Sequence, residues 1–193
     1  MDLELIKDNI PGTCLKRQDM GDATGMEFLD KIFYITDGIM LSQVRKISGV
    51  DGSTLQNWVK RGWIQNTVNK RYNKDQLARI LIINMLRETV QLERIDFLLR
   101  YINGNVNRRE DDIIGEAKLY DYICTILGRL TAIDADISPT GEKLRETIRE
   151  ATADYRERIS GARGRLEKAL ENIVISYYAA LLKVHTAALF ENL

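Results

Sequence analysis

Ser42 to Arg79 reads S-Q-V-R-K-I-S-G-V-D-G-S-T-L-Q-N-W-V-K-R-G-W-I-Q-N-T-V-N-K-R-Y-N-K-D-Q-L-A-R, and its periodicity decides the fold. Val44 and Ile47, three apart, give a short first helix its apolar stripe, and Gly49 stands where a C-terminal glycine ends a helix. Asp51 is placed to cap a second helix, in which Leu55, Trp58 and Val59 recur at i, i+3 and i+4. Gly62 closes that helix. Trp63-Ile64 and Arg71-Tyr72 flank a polar loop holding Asn66, Asn69 and Lys70, which predicts a small hairpin before a third helix. Helix, turn, helix and hairpin in this order predict a winged helix-turn-helix.

Charge is distributed to match. The chain is neutral overall, with 28 basic and 28 acidic residues, so bulk composition says nothing of nucleic acid. From Ser42 to Arg79, however, eight Lys/Arg (45, 46, 60, 61, 70, 71, 74, 79) face two Asp (51, 75), a local +6, whereas the 41 residues before carry four basic and eight acidic groups. A basic island in a neutral protein is the footprint of a phosphate-contacting surface. Ordinary charge scatter on a solvated helical face would look similar alone; its coincidence with the helix-turn-helix pattern favours the first reading. The second helix turns Ser53, Gln56 and Asn57 outward, side chains suited to base edges. Arg45, Lys46, Lys60 and Arg61, with the wing residues Asn69, Lys70 and Arg71, suit phosphates.

Gly49-Val50, Thr54-Leu55, Arg61-Gly62-Trp63-Ile64 and Lys70-Arg71-Tyr72-Asn73-Lys74-Asp75-Gln76-Leu77 together resemble the DNA-binding domain of MerR-type transcription regulators. The likeness runs over roughly residues 34 to 127, with Leu92-Glu93-x-Ile95 similar to that family's next helix. More closely, the chain resembles an uncharacterised bacterial family of MerR-like proteins known as a domain of unknown function. The resemblance implies a winged domain that reads DNA and a dimer formed through a following helix. Two departures limit it. Gln56-Asn57 stands where such regulators carry Arg-Tyr, so that phosphate contact does not carry over, and the absence of a C-terminal cysteine set leaves metal response unimplied.

Outside this stretch the pattern is helical. Residues 1 to 33 form an expected N-terminal arm: a helical turn near Leu3 to Lys7, irregular chain around Pro11-Gly12 and Gly21-Asp22, and a short helix from Met26 to Phe33. Residues 34 to 136 hold the winged domain and the helices after it. Asn73 and Gln76 have capping-box spacing, the run from Ile80 to Ile83 is apolar all round and so buried, and Ile113 to Ile133 carries one clean stripe that includes Cys124. Asp111-Asp112 reads as a solvated helix start favoured by the positive helix end, not a metal site. Ser138-Pro139 reads as a helix start and marks a boundary, after which residues 137 to 193 form a long helical tail, a bundle or coiled-coil segment for dimerisation or effector binding. Gly161 and Gly164 interrupt it; either they admit another helix closely or they turn a helical hairpin.

The expected fold is therefore mainly α. Two cysteines, Cys14 and Cys124, lack metal-ligand spacing and suit a reducing cytoplasm, and the acidic start, Met1-Asp2-Leu3-Glu4, lacks a leader's apolar core. The apolar stretch from Ile173 to Leu182 reads as too short to span a bilayer. One histidine and no nucleophile or nucleotide-loop motif argue against an enzyme, and no cofactor or metal is expected. Tyr177-Tyr178 with His185 reads as packing rather than a ligand pocket. The expected function is a dimeric, sequence-specific regulator on double-stranded DNA, with an unidentified effector; the alternative is a protein-interaction adaptor that keeps the winged scaffold without DNA binding.

Overall fold

The computed structural model describes residues 8–108, 110–133 and 141–191. The turn expected near residues 3–7, the helix start at Ser138-Pro139 and the boundary between residues 136 and 137 lie outside them. Among the described residues the protein is mainly α, with eight α-helices and one two-stranded antiparallel sheet. The helices are α1 (Gly25–Ile32), α2 (Leu41–Ser48), α3 (Gly52–Lys60), α4 (Lys74–Leu86), α5 (Leu92–Asn103), α6 (Glu116–Ile133), α7 (Glu142–Ala151) and α8 (Ala162–Glu191). The strands are β1 (Ile39–Met40) and β2 (Arg71–Tyr72).

Helix α4 is the axis. Every residue from Gln76 to Ile83 is buried, so nothing on that run can face water and partners must surround it. Helices α2, α5, α6 and α8 pack around it. Asn73 and Gln76 close the expected capping box: Asn73 Oδ1 accepts from the Gln76 N–H at 2.9 Å, and Gln76 Oε1 accepts from the Asn73 N–H at 2.8 Å. Helix α6 begins at Glu116, later than the stripe suggested, because its N–H groups are served from another helix: Asp75 Oδ1 accepts from the Ala117 N–H at 3.0 Å. Ile113 and Ile114 are buried ahead of the helix start.

The arm is a strap. Ile10 is fully buried, the Tyr120 hydroxyl donates to the Pro11 carbonyl at 2.7 Å, and Asn84 Nδ2 donates to the carbonyls of Gly12 and Ser48 at 2.9 and 2.8 Å. Helix α1 lies on α6. One continuous apolar cluster accordingly runs from Ile10 through α1, α4 and α6 to Val174 of α8, drawing on all three segments of the chain.

The tail is a helical hairpin. Gly161, at φ +78°, supplies the left-handed turn that brings α8 back along α7, while Gly164 sits inside α8. Leu166, Ala169, Leu170, Ile173 and Val174 seat the first half of α8 in the core. The expectation that no segment here reaches membrane length needs correcting: α8 is 30 residues long, with an 18-residue window of mean hydropathy 1.5, so by length and composition it could cross a membrane.

Candidate nucleic-acid interface

Helices α2 and α3 lie against one another, α2 also against β1, with three residues between Ser48 and Gly52. Gly49, at φ +71°, ends α2, and its N–H donates to the Arg45 carbonyl at 2.9 Å. Asp51 then starts α3 as expected. Its Oδ1 accepts from the Thr54 N–H at 2.8 Å, and the hydroxyls of Ser53 and Thr54 donate to its two carboxylate oxygens, each at 2.5 Å. Those bonds, the Ser53 hydroxyl's first, hold the Asp51 carboxyl well below the usual carboxylate range. Leu55 and Trp58 anchor the inner face, and Arg87 stacks over the Trp58 ring at 5.9 Å.

This leaves the outer face of α3 as a polar ledge. Gln56, Asn57 and Lys60 are exposed, and the two amides bond to nothing else among the described residues. Ser53 is exposed too, but its hydroxyl hydrogen is given to Asp51, so only its lone pairs remain for a ligand. Arg45 and Lys46 are exposed on α2.

The wing differs from expectation. Trp63-Ile64 does not pair with Arg71-Tyr72; β2 pairs with β1, in the register Ile39 with Tyr72 and Met40 with Arg71. The reason is burial: Trp63 and Ile64 are consecutive apolar residues that both turn inward, which an alternating strand cannot do, whereas Ile39 and Tyr72 share one buried face. The tip tightens into a two-residue turn, with Asn69 at φ +52°, Lys70 at φ +58° and the Arg71 N–H donating to the Val68 carbonyl at 3.0 Å. Asn69 and Lys70 are thereby exposed at the tip. Arg71 is exposed as well, yet its Nη1 donates to the Gly38 carbonyl at 2.9 Å. A polar groove of about 720 Å³ runs between residues 35–38 and the wing, with Ile35 and Val68 exposed on its rim.

Not all of the basic island reaches this surface. Arg79 is buried, its side chain 3% exposed, with Nε donating to the Trp63 carbonyl and Nη1 paired to Glu116, both at 2.5 Å, and Asp96 at 3.7 Å from Nη2. It fastens the base of the wing to α5 and α6. Lys74 pairs with Asp30 at 2.5 Å. Arg61 pairs with Glu93 of α5 at 3.6 Å and stacks over Trp63 at 5.1 Å. Arg71 makes no ion pair either, its one bond being to a neutral carbonyl, whereas Arg45, Lys46, Lys60 and Lys70 make neither an ion pair nor a side-chain hydrogen bond among the described residues. These four unpaired cations and the two free amides are what the structure leaves open to a polyanion. The Arg79 cluster was invisible to a charge count, which cannot tell a buried arginine from a surface one; its only trace is its place directly before the apolar run from Ile80 to Ile83.

Residues 27–123, half of the chain, match the family described as a domain of unknown function (DUF1836), and the chain belongs to that family. It is also 22% identical over 155 residues to the uncharacterized protein YkrK of Bacillus subtilis (strain 168), an overlap that covers 78% of this chain and 66% of YkrK. The chain thus spans just under two thirds of that relative's length. No solved structure matches the chain significantly. Neither match shows a MerR-type winged helix-turn-helix; of the expected resemblance they support the domain-of-unknown-function family alone.

Proposed function

We propose that the protein is a DNA-binding regulator in which α2 and α3 act as a helix-turn-helix, the 65–70 loop acts as a wing, and α3 reads base edges. The observation that carries this is the pairing of free amides with unpaired cations. Gln56 and Asn57 project unbonded from α3, and Arg45, Lys46, Lys60 and Lys70 hold no internal counter-charge among the described residues. Asn and Gln amides match the adenine edge in bidentate fashion, whereas unpaired lysines supply the salt-dependent phosphate contacts. Arg61 contributes only after giving up Glu93, whereas Arg71 keeps its charge and further N–H groups beside its bond to the Gly38 carbonyl. The reading carries with it a cytoplasmic protein without catalytic function.

Dimerisation belongs to the same proposal. On α8, Ile175, Leu182 and Leu189 are seven apart and 37%, 63% and 56% exposed. A seven-residue apolar repeat on an exposed helix face supplies one of the two core positions of a coiled-coil heptad, and a second copy supplies the matching helix. The exposed seam also favours the alternative reading, a protein-interaction adaptor that works through α8 and does not touch DNA.

Fluorescence anisotropy of the full chain on random-sequence duplex DNA at two salt concentrations separates the two. Salt-sensitive binding, with Gln56→Ala and Asn57→Ala relaxing preference among selected sequences by about 1–3 kcal/mol per base contact, supports the regulator. No binding at low salt refutes it and leaves the adaptor.

A further inference from the structure

A groove of about 640 Å³ opens between α5 and α8. Its walls are mainly apolar: Val90, Leu98, Tyr101 and Phe97 line it beside the polar Asn172 and Ser176, and Phe97 is 72% exposed. An aromatic ring that open to water on a rigid helix costs solvation unless something covers it. Two charged side chains line the same groove, Arg94 from α5 and Lys168 from α8. Both are cations, neither makes an ion pair among the described residues, and no acidic side chain lines the groove.

We propose that this groove binds a small amphipathic anion, a molecule with an aliphatic or aryl body and one carboxylate. The body lies over Phe97, Tyr101, Leu98 and Val90, and the carboxylate meets Arg94 and Lys168. Apolar walls with a few convergent polar groups are the ordinary make-up of a small-molecule site, and the charges decide which molecule. A neutral or cationic amphiphile leaves both cations uncompensated. A second copy of the chain docked groove to groove brings two Arg94 and two Lys168 together with no acid between them, which disfavours self-association here. Ile175 stands seven residues after Lys168 and so continues the same face of α8, which makes the proposed dimer seam begin where the groove ends. Within the regulator reading the groove is the effector site, and that role rests on the reading; the binding itself does not.

Isothermal titration calorimetry of the full chain with octanoate and 2-naphthoate, without DNA, tests the site. Octanol and octyltrimethylammonium serve as neutral and cationic controls of equal chain length. Saturable binding of one carboxylate per protomer is expected, with the cation weaker by about tenfold or more. The double variant Arg94→Glu with Lys168→Glu, both residues being exposed, is expected to keep the wild-type circular dichroism and to lose octanoate affinity by about tenfold or more. Phe97→Ser is expected to weaken octanoate and octanol alike. Absence of saturable octanoate binding overturns the proposal, as does octanoate binding unchanged by the charge reversal, or equal binding of the cation. A chain that fails to bind octanoate but turns from dimer to monomer on Phe97→Ser also overturns it, assigning the groove to self-association. Because DNA is absent from the titration, octanoate binding by a protein that ignores DNA leaves the site standing and removes only its effector role.

Discussion

Replacing Lys46 and Lys60 together by alanine separates the two functional readings most cleanly. Both side chains are exposed and neither pairs with an acid among the described residues, so their loss leaves no buried group unsatisfied, and global stability is expected to hold within about 0.5 kcal/mol. If the four unpaired cations Arg45, Lys46, Lys60 and Lys70 each neutralise one phosphate, log K falls against log salt with a slope of about −3.6 per protomer, from about 0.9 per contact. Raising salt from about 50 to about 200 mM then weakens the wild type about 150-fold and the variant, with a slope of about −1.8, only about 12-fold. Anisotropy titrations at four salt concentrations on one random duplex give both slopes. The substitution Glu93→Gln is the control of opposite sign: it frees Arg61 from its 3.6 Å pairing, and the slope steepens by about 0.9. A double-alanine variant that is folded and keeps the wild-type slope refutes the assignment of this ledge to phosphate.

Arg79→Met strands the carboxylate of Glu116, 13% exposed, without its cation, while Asp96 keeps Arg100 at 2.6 Å; a loss of about 3–5 kcal/mol and a thermal midpoint lower by about 10 °C are expected, and an unchanged midpoint refutes the pairing. Adding Glu116→Gln to that variant is expected to recover part of the loss, which a purely steric defect would not. Of the two thiols, Cys14 is exposed, whereas Cys124 is buried and its thiol is pushed up to about 12, first of all by burial; an aromatic disulfide reagent at neutral pH is expected to titrate one thiol in the native protein and two in denaturant. The Asp51 carboxyl is held below the usual range in the folded state, so its contribution is present in full above the unfolded carboxyl value of about 4 and is lost as pH falls through the folded one. Urea midpoints at about pH 6 and about pH 3 are therefore expected to differ less in Asp51→Asn, where the cap is kept and the charge removed, than in the wild type; equal differences refute the carboxylate's part in capping.

Local chemistry was legible wherever neighbours in sequence are partners in space. Asn73 with Gln76, Asp51 with Thr54, and Gly49 after Ile47 announce caps because the groups they satisfy lie within four residues. The strand pairing failed the same test. Tyr72 has two candidate partners, the nearby Trp63-Ile64 and the distant Ile39-Met40, and short-range reasoning chose the nearer; only the three-dimensional demand that both Trp63 and Ile64 enter the core selects the other. The start of α6 was misplaced for a related reason, since its cap, Asp75, comes from a helix 42 residues away.

The candidate site shows what a charge tally carries and what it loses. Counting gave a +6 island, but the folded chain withdraws Arg79 into the core, ties Lys74 to Asp30 and lends Arg61 to Glu93. What remains without an internal bond among the described residues is Arg45, Lys46, Lys60 and Lys70, with Arg71 held only to a neutral carbonyl, spread over α2, α3 and the wing rather than along one helix. That distribution is itself the argument for a phosphate surface. Four cations left without counter-charges on three successive elements repel one another and destabilise the fold slightly, while Glu93 shows that an acid could be placed within reach. On the proposed reading, retaining them uncompensated is the cost of meeting an anion from outside, and that anion is a duplex backbone, whose charge repeats along its length.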